Sequence, residues 1–147
     1  MKPIKLVIKN LGSFSGRVEL DFSRLGEFFL VCGPTGSGKT TIFESMAYAL
    51  YGELPGTRQA AELISHFAAE SDEAGVEFEF RLGAGGALYR AERRPARLVP
   101  KKRGEGFTER PAEASLYVWE PAGPSATSSP LGHAEEAPLV DGRRGGQ

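Results

Sequence analysis

The sequence predicts an α/β protein: a mixed β-sheet with one principal helix, followed by an antiparallel β meander. Three observations carry this. The run Phe28-Phe29-Leu30-Val31-Cys32 is continuously apolar and opens into a glycine-rich octapeptide, Gly33-Pro34-Thr35-Gly36-Ser37-Gly38-Lys39-Thr40. An apolar stripe at helical spacing follows the octapeptide. Beyond about residue 75 the apolar period falls to two, the side-chain period of a strand.

Taken in order, Ile4, Leu6 and Ile8 alternate with Lys5, Val7 and Lys9, which predicts a strand with one buried face. A Gly/Ser-rich turn over residues 12–16 leads to Val18, Leu20 and Phe22, alternating with Arg17, Glu19 and Asp21, a hairpin partner. The run 28–32 does not alternate, and a short apolar run between turn residues predicts a strand buried on both faces of a parallel sheet. Ile42, Phe43, Met46, Ala49 and Leu50 form one stripe of a helix from about Lys39 to Tyr51, with Gly52 as its C-terminal cap. A second, weaker helical pattern covers residues 58–69 through Ala60, Leu63, Ile64 and Phe67. Three alternating runs then follow: Val76 to Leu82, Ala87 to Arg94 after a turn at 83–86, and Ala114 to Trp119. They read as a meander with a basic connection between its second and third strands. From Pro121 to Gln147 the chain is rich in Pro, Gly, Ala and Ser without apolar periodicity, so 1–120 is expected to be the folded lobe and 121–147 a disordered tail.

A chain of 147 residues, 40% hydrophobic and 25% charged, is long enough for one globular core. The net charge of −1 argues neither for nor against a polyanionic partner. Its distribution says more. Residues 62–79 hold six acidic and no basic residues, whereas residues 90–110 hold eight basic and three acidic ones. The basic run is Arg90, Arg93, Arg94, Arg97, Lys101, Lys102, Arg103 and Arg110. It fits either a solvated loop or a contact with DNA backbone, which Lys and Arg neutralise without reading sequence. The single cysteine, Cys32, cannot close an internal disulfide and lies in an apolar run, so it reads as a small core residue in a reducing compartment. Neither a signal peptide nor a membrane span is evident, which predicts a cytoplasmic protein.

The octapeptide carries the chemistry. It matches G-x-x-x-x-G-K-[ST], the phosphate-binding (P-) loop of nucleoside triphosphatases. Its glycines let the backbone wrap closely around phosphate, successive N–H groups form an anion nest, and the following helix adds its positive end. Gly33, Pro34, Thr35, Gly36, Ser37, Gly38, Lys39, Thr40 and Thr41 are therefore the candidate binding residues for ATP. Lys39, directed at the β- and γ-phosphates, is the candidate catalytic residue. The Thr40 hydroxyl is the candidate Mg²⁺ ligand, and Thr41 lies within reach of the α-phosphate. Hydrolysis also needs a Mg²⁺-binding acid after a second apolar strand and a group that orients water; neither is evident. His66 and His133 have no metal-binding companions. Two echoes of a Ser-Gly-Gly-Gln signature, at residues 82–86 and 144–147, lack the helix such a signature must cap.

The opening Met1-Lys2-Pro3-Ile4-Lys5-Leu6, then Ser13-Phe14-Ser15-Gly16, Leu20-Asp21-Phe22, the loop from Gly33 to Thr41 and Ala47-Tyr48-Ala49-Leu50-Tyr51-Gly52 resemble the N-terminus of the SbcC family. The later Pro100-Lys101-Lys102-Arg103-Gly104-Glu105-Gly106 and Pro111-Ala112-Glu113-Ala114 are similar too, so the resemblance covers about residues 1–120. It implies the N-terminal lobe of an ABC-type ATPase head, split in the family by a long coiled coil. It also implies a second head as homodimeric partner, a metal-dependent SbcD nuclease partner, and action on DNA ends. Against that pattern the sequence has no heptad run, no glutamine loop after the meander, no second lobe and no acidic Mg²⁺ strand; Gln59 precedes the meander and reads as a surface residue. The chain is thus expected to be an N-terminal fragment. Two other readings stay open: another P-loop enzyme such as a small kinase, although antiparallel strands follow the loop, and an inactive fragment. A GTPase is disfavoured by the absence of Asn-Lys-x-Asp.

Overall fold

The computed structural model describes residues 1–56, 58–69, 72–83, 86–101 and 104–119. The predicted tail at 121–147 lies outside them, as do Lys102, Arg103 and two residues of the predicted turn, Ala84 and Gly85.

Five strands form one sheet: β1 (Lys2–Lys9), β2 (Arg17–Asp21), β3 (Gly75–Arg81), β4 (Leu88–Arg94) and β7 (Glu113–Trp119), in the order β2-β1-β3-β4-β7. Two further strands, β5 (Arg97–Pro100) and β6 (Phe107–Arg110), pair into a separate ribbon within the predicted basic connection. The hairpin and the meander are found as predicted. The expected mixed sheet is not: among the described residues every strand pairing is antiparallel.

Strand alternation sorts the two faces. On one, register places Leu6 beside Leu20 and Phe78, Ile8 beside Val18 and Val76, and Phe78 beside Ala91. This face packs against α1 (Lys39–Tyr51), whose Ile42, Tyr48 and Ala49 are buried in the same core. Phe78, Phe80 and Tyr89 stack in series at 5.4 and 5.5 Å between ring centroids. The other face is a lattice of ion pairs: Lys5–Glu19 at 2.7 Å, Lys9–Glu77 at 2.6 Å and Arg90–Glu79 at 2.6 Å. Opposite charges facing each other across strands stabilise a solvated face. Lys5 and then Arg17 hold the Glu19 carboxyl below its ordinary range.

The helix α1 has the predicted bounds. Gly52 closes it, donating its amide to the Tyr48 carbonyl at 2.8 Å. No basic residue stands in the last turn of α1. Arg93 of β4 supplies the charge instead, donating from Nε to the Ala49 carbonyl at 2.9 Å and from Nη2 to the Leu50 carbonyl at 3.4 Å. Phe43 departs from the predicted stripe and is exposed.

Three further expectations need correction. Residues 28–32 form no strand; Phe28 is 95% exposed and Leu30 85% exposed, and Cys32, expected in the core, is exposed as well. A strand buried on both faces needs ladder partners on both sides. The described sheet offers the segment none; Phe29 leans on Phe22, at 5.5 Å between centroids, and half-buried Val31 packs against the core. The helix expected over 58–69 is reduced to a single 3₁₀ turn, Ala60–Leu63. Its continuation is diverted into pairing with the chain start: Leu63 accepts from Gly12 N at 2.6 Å, Ile64 bridges Leu11, and Ser65 N donates to Asn10 O at 2.9 Å.

Candidate phosphate-binding site

The predicted loop folds as a bend that runs straight into α1. Gly38 is its pivot: φ of 89° and ψ of 11° lie in the left-handed region that costs a side-chain-bearing residue energy. The Ser37 amide donates to the Pro34 carbonyl at 3.3 Å, and the Ile42 amide makes the first helical bond, to Gly38 O at 3.1 Å. The amides of Lys39, Thr40 and Thr41 precede that bond and have no intrahelical acceptor. A side-chain cap is absent because the N-cap is glycine, and no acidic residue stands in the first turn.

Lys39 makes this end more positive still. A lysine in the first turn opposes the helix dipole, whose positive end favours carboxylates and anions. Its Nζ folds over the loop and donates to Gly33 O at 2.8 Å, Pro34 O at 2.6 Å and, at 3.5 Å, Ser37 Oγ. The ammonium thus spans the loop from Gly33 to Ser37. Gly33, Pro34, Thr35, Gly36 and Ser37 are all exposed, as is Thr40, so the donor-rich surface is open to a ligand.

Thr41 differs from its neighbours. Only 6% of it is exposed, and its side chain lies against the backbone of Gly12. A β-carbon added to Gly38 would likewise meet the ring of Phe14. Gly12 and Phe14 therefore reach the site from the turn after β1, which sequence patterns did not assign to the loop. The available signals were the Ser13-Phe14-Ser15-Gly16 segment of the SbcC resemblance and an αL-tolerant Asn10 ahead of a glycine.

An open cavity of about 370 Å³ flanks Lys39 and Thr40, lined also by Val31, Phe43, Glu44 and Pro55. Glu44, the acid nearest the loop on α1, is occupied by Arg58 at 2.6 Å. Among the described residues no group of three or more His, Cys, Asp or Glu side chains is placed to hold a metal. Among the described residues the hydroxyls of Ser37 and Thr40 stand at the loop, Thr40 being the sequence-predicted Mg²⁺ ligand. That fits a Mg²⁺ ion arriving with phosphate oxygens and water, as that ion commonly does.

The basic run resolves into two groups. Arg90 donates twice to Glu79 Oε1, at 2.6 and 3.0 Å, and lies over the Trp119 ring at 5.4 Å. Arg93 caps α1, and Arg94 pairs with Glu113 at 2.7 Å. These three are consumed within the fold. Arg97 and Arg110, by contrast, face one another in register across β5 and β6, with Lys101 exposed at the ribbon's turn. Gln59 and His66 are exposed, in keeping with surface roles. The two Ser-Gly-Gly-Gln echoes fall partly or wholly outside the described residues, as does His133.

Comparison with known proteins decides the family. A model of the AAA domain matches residues 5–110. The chain belongs to this AAA-domain family. Membership in this family implies nucleotide binding. The AAA domain here is also similar to several proteins named as the SbcC component of the nuclease SbcCD. That of Vibrio cholerae is 42% identical over 121 residues, covering 80% of this chain and 12% of that protein. The Treponema pallidum protein is 41% identical over 144 residues, 95% of this chain and 13% of its own length. The Lactococcus lactis protein is 43% identical over 120 residues, 80% and 11% respectively. The resemblance to SbcC carried by the sequence motifs is thereby shown. The AAA-domain chain spans about an eighth of the length of these curated relatives. Among the described residues no helix is long and apolar enough to cross a membrane.

Proposed function

We propose that residues 1–120 are the ATP-binding N-terminal lobe of an ABC-type, SbcC-like ATPase head that acts in cytoplasmic DNA double-strand break repair and end processing. One observation carries the nucleotide reading. The N-terminus of α1 combines uncapped amides, no first-turn acid and a lysine folded over the loop, an arrangement unfavourable by itself and relieved by a polyanion. Loop residues 33–38 would wrap the phosphates, Lys39 would bridge the β- and γ-phosphates, and Thr40 would complete the coordination of Mg²⁺. The ion would neutralise phosphate charge. The Thr41 side chain is packed against Gly12, so its share of the α-phosphate contact falls to its amide.

Replacing Lys39 with Ala tests this. Titration with a fluorescent ATP analogue and Mg²⁺ should show binding by wild type and none by Lys39→Ala, with far-ultraviolet circular dichroism unchanged. Equal affinities would remove the phosphate-loop assignment.

For DNA, the supporting observation is the Arg97–Arg110 pair. Like charges directly opposite destabilise a ribbon, and a phosphate backbone would relieve them. Replacing Arg97, Lys101 and Arg110 with Ala should weaken duplex binding and flatten its salt dependence in gel shifts, without altering ATP-analogue affinity. Unchanged DNA binding would return the ribbon to a solvated loop. An SbcD-like nuclease and a second head as homodimeric partner belong to the same proposal, on the strength of the relatives' names and the family resemblance.

A further inference from the structure

We infer that the turn at residues 10–16 braces the phosphate loop, with Phe14 as its positioning residue; this rests on the nucleotide reading above and extends it to residues outside the loop.

The turn is itself fixed at both ends. Asn10 is buried and takes a left-handed φ of 51°. Its amide donates to Gly16 O at 2.9 Å, and its Oδ1 accepts from Gly16 N at 2.6 Å. Nδ2 donates to Glu73 O at 2.7 Å, and the Asn10 carbonyl accepts from Ser65 N at 2.9 Å. The next residue, Leu11, is fully buried, and the Gly12 amide donates to Leu63 O at 2.6 Å. Such a turn is anchored to the core, not to the loop it touches.

Two interlocking contacts then join it to the first turn of α1. A β-carbon on Gly12 would lie 2.5 Å from both Oγ1 and Cγ2 of Thr41. A β-carbon on Gly38 would lie 2.7 Å from Phe14 Cζ, with the two Cε atoms next nearest at 3.0 and 3.2 Å. The ring therefore meets Gly38 tip-first. Each partner offers a glycine where the other offers bulk, so neither contact is available to an ordinary side chain. Gly38 is the pivot at which loop becomes helix. A ring held against it restricts the one residue whose swing would scatter the loop amides. Preorganised donors bind more tightly because less ordering remains to be done on binding.

The test uses the whole chain, with Phe14 replaced by Ala, Leu and Tyr. Two ligands are titrated, a fluorescent ATP analogue with Mg²⁺ and inorganic tripolyphosphate. Amide hydrogen exchange over residues 34–42 is followed without ligand. Phe14→Ala should weaken both ligands about tenfold, the effect of freeing roughly one residue of backbone. It should speed exchange in that segment and leave β3 and β4 unchanged. Phe14→Leu should fall between, and it remains informative should Phe14→Ala not fold. Phe14→Tyr should weaken both ligands too, since its hydroxyl extends from the ring tip into Gly38; a ring that merely stacked on a base would tolerate it. Loss for the ATP analogue alone, with tripolyphosphate unaffected, would overturn the brace in favour of base stacking. Unchanged affinity with unchanged exchange would overturn it outright. Failure of wild type to bind either ligand would count against the nucleotide reading, while exchange in the variants would still decide the brace.

Discussion

Replacing Arg93 with Met separates a structural arginine from a DNA-binding one. The change keeps the apolar stem and removes the guanidinium that caps α1. The Nε bond to Ala49 O, 2.9 Å long, joins a charged donor to a carbonyl, a class worth about 1.5–3 kcal/mol. The 3.4 Å contact to Leu50 O adds little. Because the last turn of α1 holds no other basic residue, interaction with the helix dipole is lost as well, about 0.3–1 kcal/mol. Arg93 is only half-buried, so water recovers part of the sum, leaving a destabilisation of about 2 kcal/mol. For a folded body of this size that corresponds to a fall in Tm of roughly 8 °C. Thermal unfolding followed by circular dichroism measures it. Arg93→Lys, with charge but without the planar fork, should lose about half as much. A fall below about 1 °C for Arg93→Met, together with weakened duplex binding in gel shifts, would refute the reasoning and return Arg93 to the basic surface.

Other expected outcomes follow from the same geometry. Phe78 is fully buried between Leu6 and Ala91, so Phe78→Ala should cost about 3–5 kcal/mol, read as a lowered urea midpoint at unchanged m-value. Burial raises the Tyr48 phenol above its ordinary value of 10.0, so the folded state holds that proton more tightly than the unfolded one. Its stabilising contribution is complete below that ordinary value and lost as pH rises toward the raised one; Tyr48→Phe should therefore narrow the Tm difference between about pH 8 and about pH 11. Steady-state phosphate release by this chain should match that of Lys39→Ala, because Glu44, the nearest acid on α1, is engaged by Arg58. Release well above that control would reveal a catalytic group elsewhere in the chain.

What could be read from the sequence was local. The helix α1 was legible at both ends because its stripe and its Gly52 cap lie within one segment. β1, β3, β4 and β7 were legible because alternation on a half-buried sheet is likewise local. Residues 28–32 were misread because apolarity says that a segment favours burial without saying what would bury it. The 3₁₀ turn at Ala60–Leu63 was misread because its competitor was the distant backbone of Asn10 and Gly12. In the basic run, composition could not say which arginines were already engaged. Arg90 finds Glu79 and Arg94 finds Glu113 across strands, and Arg93 finds a helix end in another part of the chain. The phosphate loop stood out in the sequence, whereas Phe14 and Gly12 came to it only through the hairpin's three-dimensional path.

The register between β4 and β7 sets the ribbon apart from the ladder. Arg94 pairs directly with Glu113, so β4 and β7 join as though residues 95–112 were a single hairpin turn. The ribbon β5–β6 is then an excursion, hung from the end of a completed ladder. The β4–β7 register sets neither the length nor the charge of that excursion, which is tied down instead by its own pairing and by buried Val99. The residues that set the ribbon's charge, Arg97 and Arg110, are thus different from those that align β4 with β7 and from those that shape the loop ahead of α1.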